Sequence, residues 1–332
     1  MQGTIELRHR PRLCMGAAIA GKKEGEGPLG QGYDQIIQDD LFGEESWEKA
    51  ECRFFYTAAD TCIRKAGLTH QQVDVMLGGD LLNQITSASM AARELKIPFL
   101  GLYGACSTMA ESLCIGAMLV DAGHVRTALC AASSHFCSAE RQYRFPLEYG
   151  NQRTPTAQWT VTGSGAALVC SAGVGPRIDS CTIGTVTDLG IKDANNMGAA
   201  MAPAALATIK AHFEDMHRTP EDFDLIVTGD LGQLGKEVLM ELARREGIYL
   251  GGRIADCGTL VFDTSTQDVH SGGSGCGCSA ITLCGELLGK LHSGKLKHIL
   301  FCGTGALLSP TSTQQGLPIP GVCHAVCIQG GN

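Results

Sequence analysis

One cysteine stands apart by its setting. Cys106 lies in Tyr103-Gly-Ala-Cys-Ser-Thr-Met, between an apolar run at 98–103 and an Ala- and Leu-rich run that reaches Asp121. The pattern reads as strand, turn and helix, with Cys106 at the helix N-terminus. Free N–H groups and the helix dipole favour a thiolate or a bound anion there, so Cys106 is expected to be a pocket residue or a nucleophile. A second group of reactive side chains follows the next apolar run, in Ser133-Ser-His135-Phe-Cys-Ser-Ala-Glu-Arg141-Gln-Tyr-Arg144. It leaves the C-terminal end of a strand, where open α/β sheets place their ligands. His135 is a candidate ligand group, and Arg141 and Arg144 offer forks that match carboxylates. The loop Gly303-Thr-Gly-Ala-Leu-Leu-Ser309-Pro occupies the corresponding place in the second half of the chain. Ser309 reads either as another part of the same pocket or as part of a tight turn. Each group also has a plainer reading: a core cysteine for Cys106, a solvated loop or a dimer contact for His135 and the two arginines.

The other cysteines point elsewhere. There are 16 in 332 residues, and no two stand in the C-x-x-C register of zinc ribbons or iron–sulfur sites. Cys276 and Cys278 have no second pair to complete a site. The expectation is no metal and no cofactor, with cysteine used as a small buried hydrophobe in the reduced state. The Gly-rich turn at 271–278 lacks the lysine of a phosphate loop, and close helix packing explains it better.

The elements that must position these residues are repeated. Residues 68–84 and 219–234 each run from a polar start through a short apolar strand to Gly-Asp-Leu, at Asp80 and at Asp230. A helical run then opens after Gly104-Ala-Cys106 and again at Cys278, and ends at Gly123 and Gly294, the usual stop before a β run. Strands at 127–132 and 298–302 follow. The strand cores Val75–Leu77, Leu225–Val227 and Ile299–Phe301 are continuously apolar, as in strands covered on both faces. The two helices lack a polar face, so both are buried. Two β-α-β series around two buried helices predict a duplicated α/β fold, a five-layer α-β-α-β-α sandwich, with halves at 1–172 and 173–332.

Composition agrees and excludes several classes. Charged residues are 18%, hydrophobic residues 44%, and there are 43 glycines. Such a chain is not disordered. Its net charge of -8 lacks the basic footprint of a nucleic-acid binder. No window approaches the ~18 apolar residues of a membrane-spanning helix, and residues 1–13 lack the apolar core of a secretory signal.

A duplicated sandwich with a cysteine at the start of a buried helix resembles the thiolase and ketoacyl synthase superfamily. Within it, Gly79-Asp-Leu-Leu-Asn-Gln84, Gly104-Ala-Cys-Ser-Thr108, Val161-Thr-Gly-Ser-Gly165, Thr228-Gly-Asp-Leu231, Gly272-Gly-Ser-Gly-Cys276 and the loop 303–310 together resemble the stage V sporulation protein AD family. That resemblance implies a subunit of the SpoVA system of endospore-formers. It would bind dipicolinic acid, with or without calcium, act in dipicolinate uptake into the forespore and release in germination, and dock on other SpoVA proteins at the forespore or spore inner membrane. A homodimer is implied by the superfamily. The alternative is a Cys-dependent condensing enzyme acting on acyl-CoA. Such enzymes need a second-half His with a further His or Asn beside the cysteine. Here Gly229-Asp230 and Gly272-Gly273 stand in those places, and His270-Ser-Gly-Gly only partly resembles the thiolase His-x-x-Gly. The expectation is a superfamily pocket converted to binding, with Cys106, His135, Arg141, Arg144 and Ser309 around the ligand.

Overall fold

Alternation along single strands shows how the layers are built. In the strand His298–Ala306, Leu300 and Cys302 face one apolar cluster while Ile299 and Phe301 face another. In the strand Thr127–Ser134, Leu129 faces outward and Ala128 and Cys130 face inward. A strand with apolar residues on both faces must be covered on both, which is the parallel-sheet pattern seen in the sequence. The computed structural model describes residues 3–143 and 153–331.

The first half contains β1 (Thr4–Glu6), β2 (Arg12–Gly21), α1 (Lys22–Gly25), β3 (Gln35–Ile37), α2 (Trp47–Lys65), β4 (Val75–Gly79), α3 (Thr86–Leu95), β5 (Phe99–Gly101), α4 (Thr108–Asp121), β6 (Thr127–Ser134), α5 (Phe136–Tyr143), β7 (Trp159–Thr160) and β8 (Gly163–Cys170). The second contains β9 (Arg177–Thr182), α6 (Met197–Met216), β10 (Leu225–Thr228), α7 (Gly232–Arg245), β11 (Ile254–Asp256), α8 (Cys257–Val261) and β12 (Gly273–Ser274). It continues with α9 (Cys276–Thr282), α10 (Leu288–His292), β13 (His298–Ala306), α11 (Pro310–Gln314) and β14 (Gly321–Gln329). A π-helical turn at Leu283–Leu287 joins α9 to α10 into one rod.

The strand order is β5-β4-β6-β8-β2 in one half and β11-β10-β13-β14-β9 in the other. Numbered within each half, both read third, second, fourth, fifth, first. The duplication inferred from the Gly-Asp-Leu echo is therefore a duplication of topology. The two sheets are joined into one strand path by a single pair, Arg12 with Arg177. The N-terminal strand β1 pairs with β9, and so lies beside the second half.

Three apolar clusters separate the five layers. Phe54, Phe55 and Leu95 of α2 and α3 cover the outer face of the first sheet. Leu113 of α4 and Leu283 and Leu287 of the α9–α10 rod fill the space between the sheets, against Leu77, Val169, Phe301 and Val326. Met201, Ile209 and Leu239 of α6 and α7 cover the second sheet's outer face. Both predicted central helices occupy the middle layer. All 16 cysteines are free, and 14 are buried, which matches their use as small core hydrophobes. Among the described residues, no helix is long and apolar enough to cross a membrane.

Candidate functional site

Cys106 does not begin a regular helix. It sits in a 3-10 turn, Ala105–Ser107, and α4 starts at Thr108. Ala105 takes a left-handed backbone, φ 49°, a conformation unfavourable for a residue with a Cβ. This kink lets the chain leave β5 and enter α4 with the Cys106 side chain turned into the interior. The second half meets it at close range. A Cβ on Gly305 would lie 2.5 Å from the Gly104 carbonyl oxygen, so only glycine permits this contact between β13 and the cysteine turn.

The Cys106 thiol lies within hydrogen-bonding reach of the Asp230 carboxylate. Asp230 follows β10 and is completely buried. Its Oδ2 accepts from the Gly275 N–H (2.9 Å) and its Oδ1 from the Thr304 hydroxyl (2.8 Å). Gly275 has φ 96°, and a Cβ there would strike the Ser134 hydroxyl at 2.7 Å. Glycine is thus what brings the N-terminus of α9 onto the carboxylate. Burial pushes the Asp230 pKa up to about 6, with the hydrogen bond from Cys106 opposing that rise. Burial, reinforced by the Asp230 charge, pushes the Cys106 thiol well above its ordinary value. The helix-terminus argument predicted the opposite sign. Desolvation and a facing carboxylate outweigh a dipole whose helix begins two residues later.

Above the thiol is a cavity of about 570 Å³, including its mouth. Leu81, Ala105, Ala139, Met197, Ala306 and Leu308 make most of its wall, and Cys106, Thr160, Ser274, Tyr143 and Glu140 supply its polar atoms. The Tyr143 hydroxyl donates to the Leu81 carbonyl (2.6 Å) and pairs with the Tyr103 hydroxyl (3.1 Å). Among the described residues, the wall holds no histidine, lysine or arginine.

The predicted ligand groups are placed as follows. Cys106 is in the wall. His135 is buried behind it: Nε2 donates to the Asp40 carbonyl (2.7 Å) and Nδ1 accepts from the Cys137 N–H (3.1 Å). Both ring nitrogens are committed to backbone, and burial lowers the His135 pKa. Arg141 pairs with Glu48 and lies over the Trp47 ring at 5.3 Å, outside the wall. Ser309 caps α11, accepting from the Ser312 N–H (3.0 Å), and its loop gives the wall Ala306 and Leu308 instead. Arg144 lies outside the described residues. His270 is exposed, with Nε2 3.4 Å from Asp268, and is not in the wall. Sequence reasoning missed Thr160, Ser274, Met197 and Ala194. The first two come from β7 and β12, two-residue strands that pair in parallel, Trp159 with Gly273 and Thr160 with Ser274. Two residues are too short to leave a periodic signal.

The sequence pattern of the family described as stage V sporulation protein AD (SpoVAD) matches residues 1–329. Stage V sporulation protein AD of Bacillus subtilis (strain 168) is 45% identical over 310 residues, covering 93% of this chain and 91% of that protein. The chain belongs to the stage V sporulation protein AD family. Its fold is that of the thiolase-like condensing enzymes. The 3-oxoacyl-[acyl-carrier-protein] synthase III of Aquifex aeolicus VF5 superposes with a TM-score of 0.56 at 14% identity, over 96% of this chain and 99% of that one. Cerulenin-bound OleA of Xanthomonas campestris gives 0.61 at 16% identity, over 96% of each chain. AbyA1, a tetronic acid condensing enzyme, gives 0.60 at 15%, over 96% and 100%. At these identities the likeness shows the fold alone and nothing about shared chemistry.

Proposed function

We propose that this SpoVAD chain is a binding subunit and not a condensing enzyme. It would take up dipicolinate in the cavity over Cys106 and serve its movement into the forespore and its release in germination. One observation carries the reading: the cysteine faces a buried carboxylate where a condensing site needs a base and oxyanion donors. A thiol held protonated by burial and by Asp230 is a poor nucleophile. A carboxylate at that place also repels a developing oxyanion. What remains is a half-enclosed, mostly apolar cavity with a few hydroxyls, the usual make-up of a small-molecule site.

The wall also bears on the form of the ligand. Dipicolinate is a planar aromatic dianion, and neither Arg141 nor His135 reaches the wall. The Asp230 carboxylate lies beneath it. A mostly apolar cavity above the buried Asp230 carboxylate suits the neutral calcium chelate better than the bare dianion. Calorimetry of dipicolinate, alone and with calcium, tests this directly. One site per chain is expected, with tighter binding when calcium is present. In parallel, incubation with acetyl- and malonyl-CoA followed by intact mass should leave the chain unmodified. A stable acyl adduct on Cys106 would overturn the binding reading in favour of the condensing enzyme. Absence of dipicolinate binding in every condition would leave a scaffold for other SpoVA proteins.

A homodimer is part of the same proposal. β5 ends the strand order of the first half, and Leu100 on it is 49% exposed. An unpaired, apolar edge strand invites pairing with a second copy. Leu100→Arg should convert the dimer to monomer in sedimentation velocity, because it would place like charges along that edge. A wild-type chain that sediments as a monomer would remove the dimer from the proposal. Attachment to the forespore membrane would then rest on docking to membrane-spanning SpoVA partners, since the described helices offer no span.

A further inference from the structure

On the outer face of the second sheet, at the end opposite the cavity loops, three side chains converge. They are Asp179 of β9, His298 of β13 and Cys327 of β14, and their ligand atoms all lie within 4.8 Å of one another. From them we infer that this chain holds a zinc-class transition metal ion with Asp179, His298 and Cys327 as its three protein ligands.

Strand geometry brings the three together. Cys327 shares its face with Cys323 and Ala325, and His298 shares that face with Leu300 and Cys302. Asp179 joins them through a bulge. Ile328 pairs with Ile178 and Cys327 with Ser180, so Asp179 is the extra residue of β9. Ile178 and Cys181 both face the central layer, which a regular strand forbids at that spacing. Bulges re-aim side chains in this way.

The histidine is oriented as a ligand. Its Nδ1 donates to the Asp222 carbonyl (2.7 Å), and Phe223 stacks on the ring with centroids 4.6 Å apart. This fixes the tautomer and leaves Nε2 as an acceptor, the second-shell arrangement of metal-binding histidines. Nε2 points at the Cys327 Sγ, 3.0 Å away. The third group is underused: Asp179 Oδ1 is buried and has no hydrogen-bond partner, its nearest cation being Arg10 at 3.7 Å. A tetrahedral ion about 2.0 Å from N and O and about 2.3 Å from S needs ligand atoms about 3.3–3.5 Å apart. The Nε2–Sγ distance of 3.0 Å lies a few tenths of an ångström below it, and all three atoms lie within 4.8 Å of one another, so small side-chain rotations suffice. The Asp179 side chain is 14% exposed, which leaves a fourth position open to water.

The donor set selects the ion. One thiolate, one imidazole and one carboxylate suit zinc and its neighbours, not calcium or magnesium, which take oxygen ligands. Binding would release the Cys327 thiol proton to solvent as the metal–sulfur bond forms. Two anionic ligands would balance the divalent charge, so the arginines around Asp179, Arg10, Arg177 and Arg218, would face a neutral centre.

The test uses the full chain, stripped with a chelator and titrated with cobalt(II). Expected is one cobalt per chain, with a thiolate-to-cobalt charge-transfer band that zinc abolishes. Cys327→Ser should remove that band, and His298→Gln should weaken binding about tenfold or more. Cys302→Ser, a buried cysteine of the same sheet outside the cluster, should change neither. No band on the wild-type chain, or a band that survives in Cys327→Ser, would overturn the assignment. Should Cys327→Ser fail to fold, persistence of full affinity in His298→Gln and Asp179→Asn would do the same.

Discussion

Ala139→Phe is expected to weaken dipicolinate binding about a hundredfold while leaving the chain folded. Ala139 is 4% exposed and lies on α5 in the wall of the cavity. A phenyl ring there would enter the space the ligand needs. Because the cavity opens to solvent, the ring has somewhere to go, so the overpacking penalty should stay near the lower end of the ~1–3 kcal/mol range. Loss of affinity should reach about a hundredfold, equivalent to about 2.7 kcal/mol. Calorimetry measures the loss, and thermal melting verifies the fold. Unaltered affinity in a folded Ala139→Phe chain would move the ligand out of this cavity.

Asp230→Asn completes that test, because it separates the two forms of the ligand. A buried charge some 6 Å from a dianion opposes it by about 5–6 kcal/mol at an effective dielectric of ~20, before water at the mouth reduces that figure severalfold. Removing the charge should tighten binding of free dipicolinate roughly tenfold and change binding of the calcium chelate little. The asparagine can keep both contacts, since its oxygen can accept from Gly275 and its amide can donate to the Thr304 hydroxyl, which already accepts from the Asp230 N–H.

How much of this was legible in the sequence follows from the range of each signal. The Gly-Asp-Leu echo and the two unamphipathic helices exposed the duplicated sandwich, because buried strands and helices write their burial into local composition. Cys106 was legible for the same reason, as a strand–turn–helix corner. Asp230 was visible as an acidic residue standing where a condensing enzyme has histidine. Its effect on the thiol was not, because that depends on the contact made across the interface between the two halves. His135 and Arg141 show the converse. Their types suited a ligand, but whether a side chain faces a cavity or a neighbour is decided by packing: the Asp40 carbonyl claims one and Glu48 the other. The Asp179, His298 and Cys327 cluster lay furthest out of reach. Its members come from three strands distant in the chain, and the one that completes it depends on a bulge, so no C-x-x-C spacing could announce it.

Stability should fall as the pH rises from about 5 to about 7 and level above that, which is the second large effect expected. Burial pushes Glu24 and Asp256 up to about 7 and Asp80 and Asp230 up to about 6. Each binds its proton more tightly folded than unfolded. Between the unfolded value near 4 and the folded value, the native state therefore holds more protons, and stability declines with rising pH. Above the folded value the loss is complete and the curve levels. The buried histidines act in the opposite direction. Burial lowers His212 to about 4 and also lowers His135 and His324, so all three resist protonation in the folded chain. Their contribution is lost as the pH falls below the unfolded value near 6.5. The carboxylates thus set the alkaline limb and the histidines the acidic one. Glu24 isolates the alkaline limb, because it is fully enclosed and its Oε1 accepts from the Thr162 N–H (2.9 Å), a bond glutamine can retain. Its displacement corresponds to about 3 kcal/mol. Denaturant melts of Glu24→Gln and wild type should therefore diverge with pH: the variant gains on wild type by up to about 3 kcal/mol between pH 5 and pH 8. Parallel pH curves for the two would show that Glu24 stays ionised in the core, and would remove it from the alkaline limb.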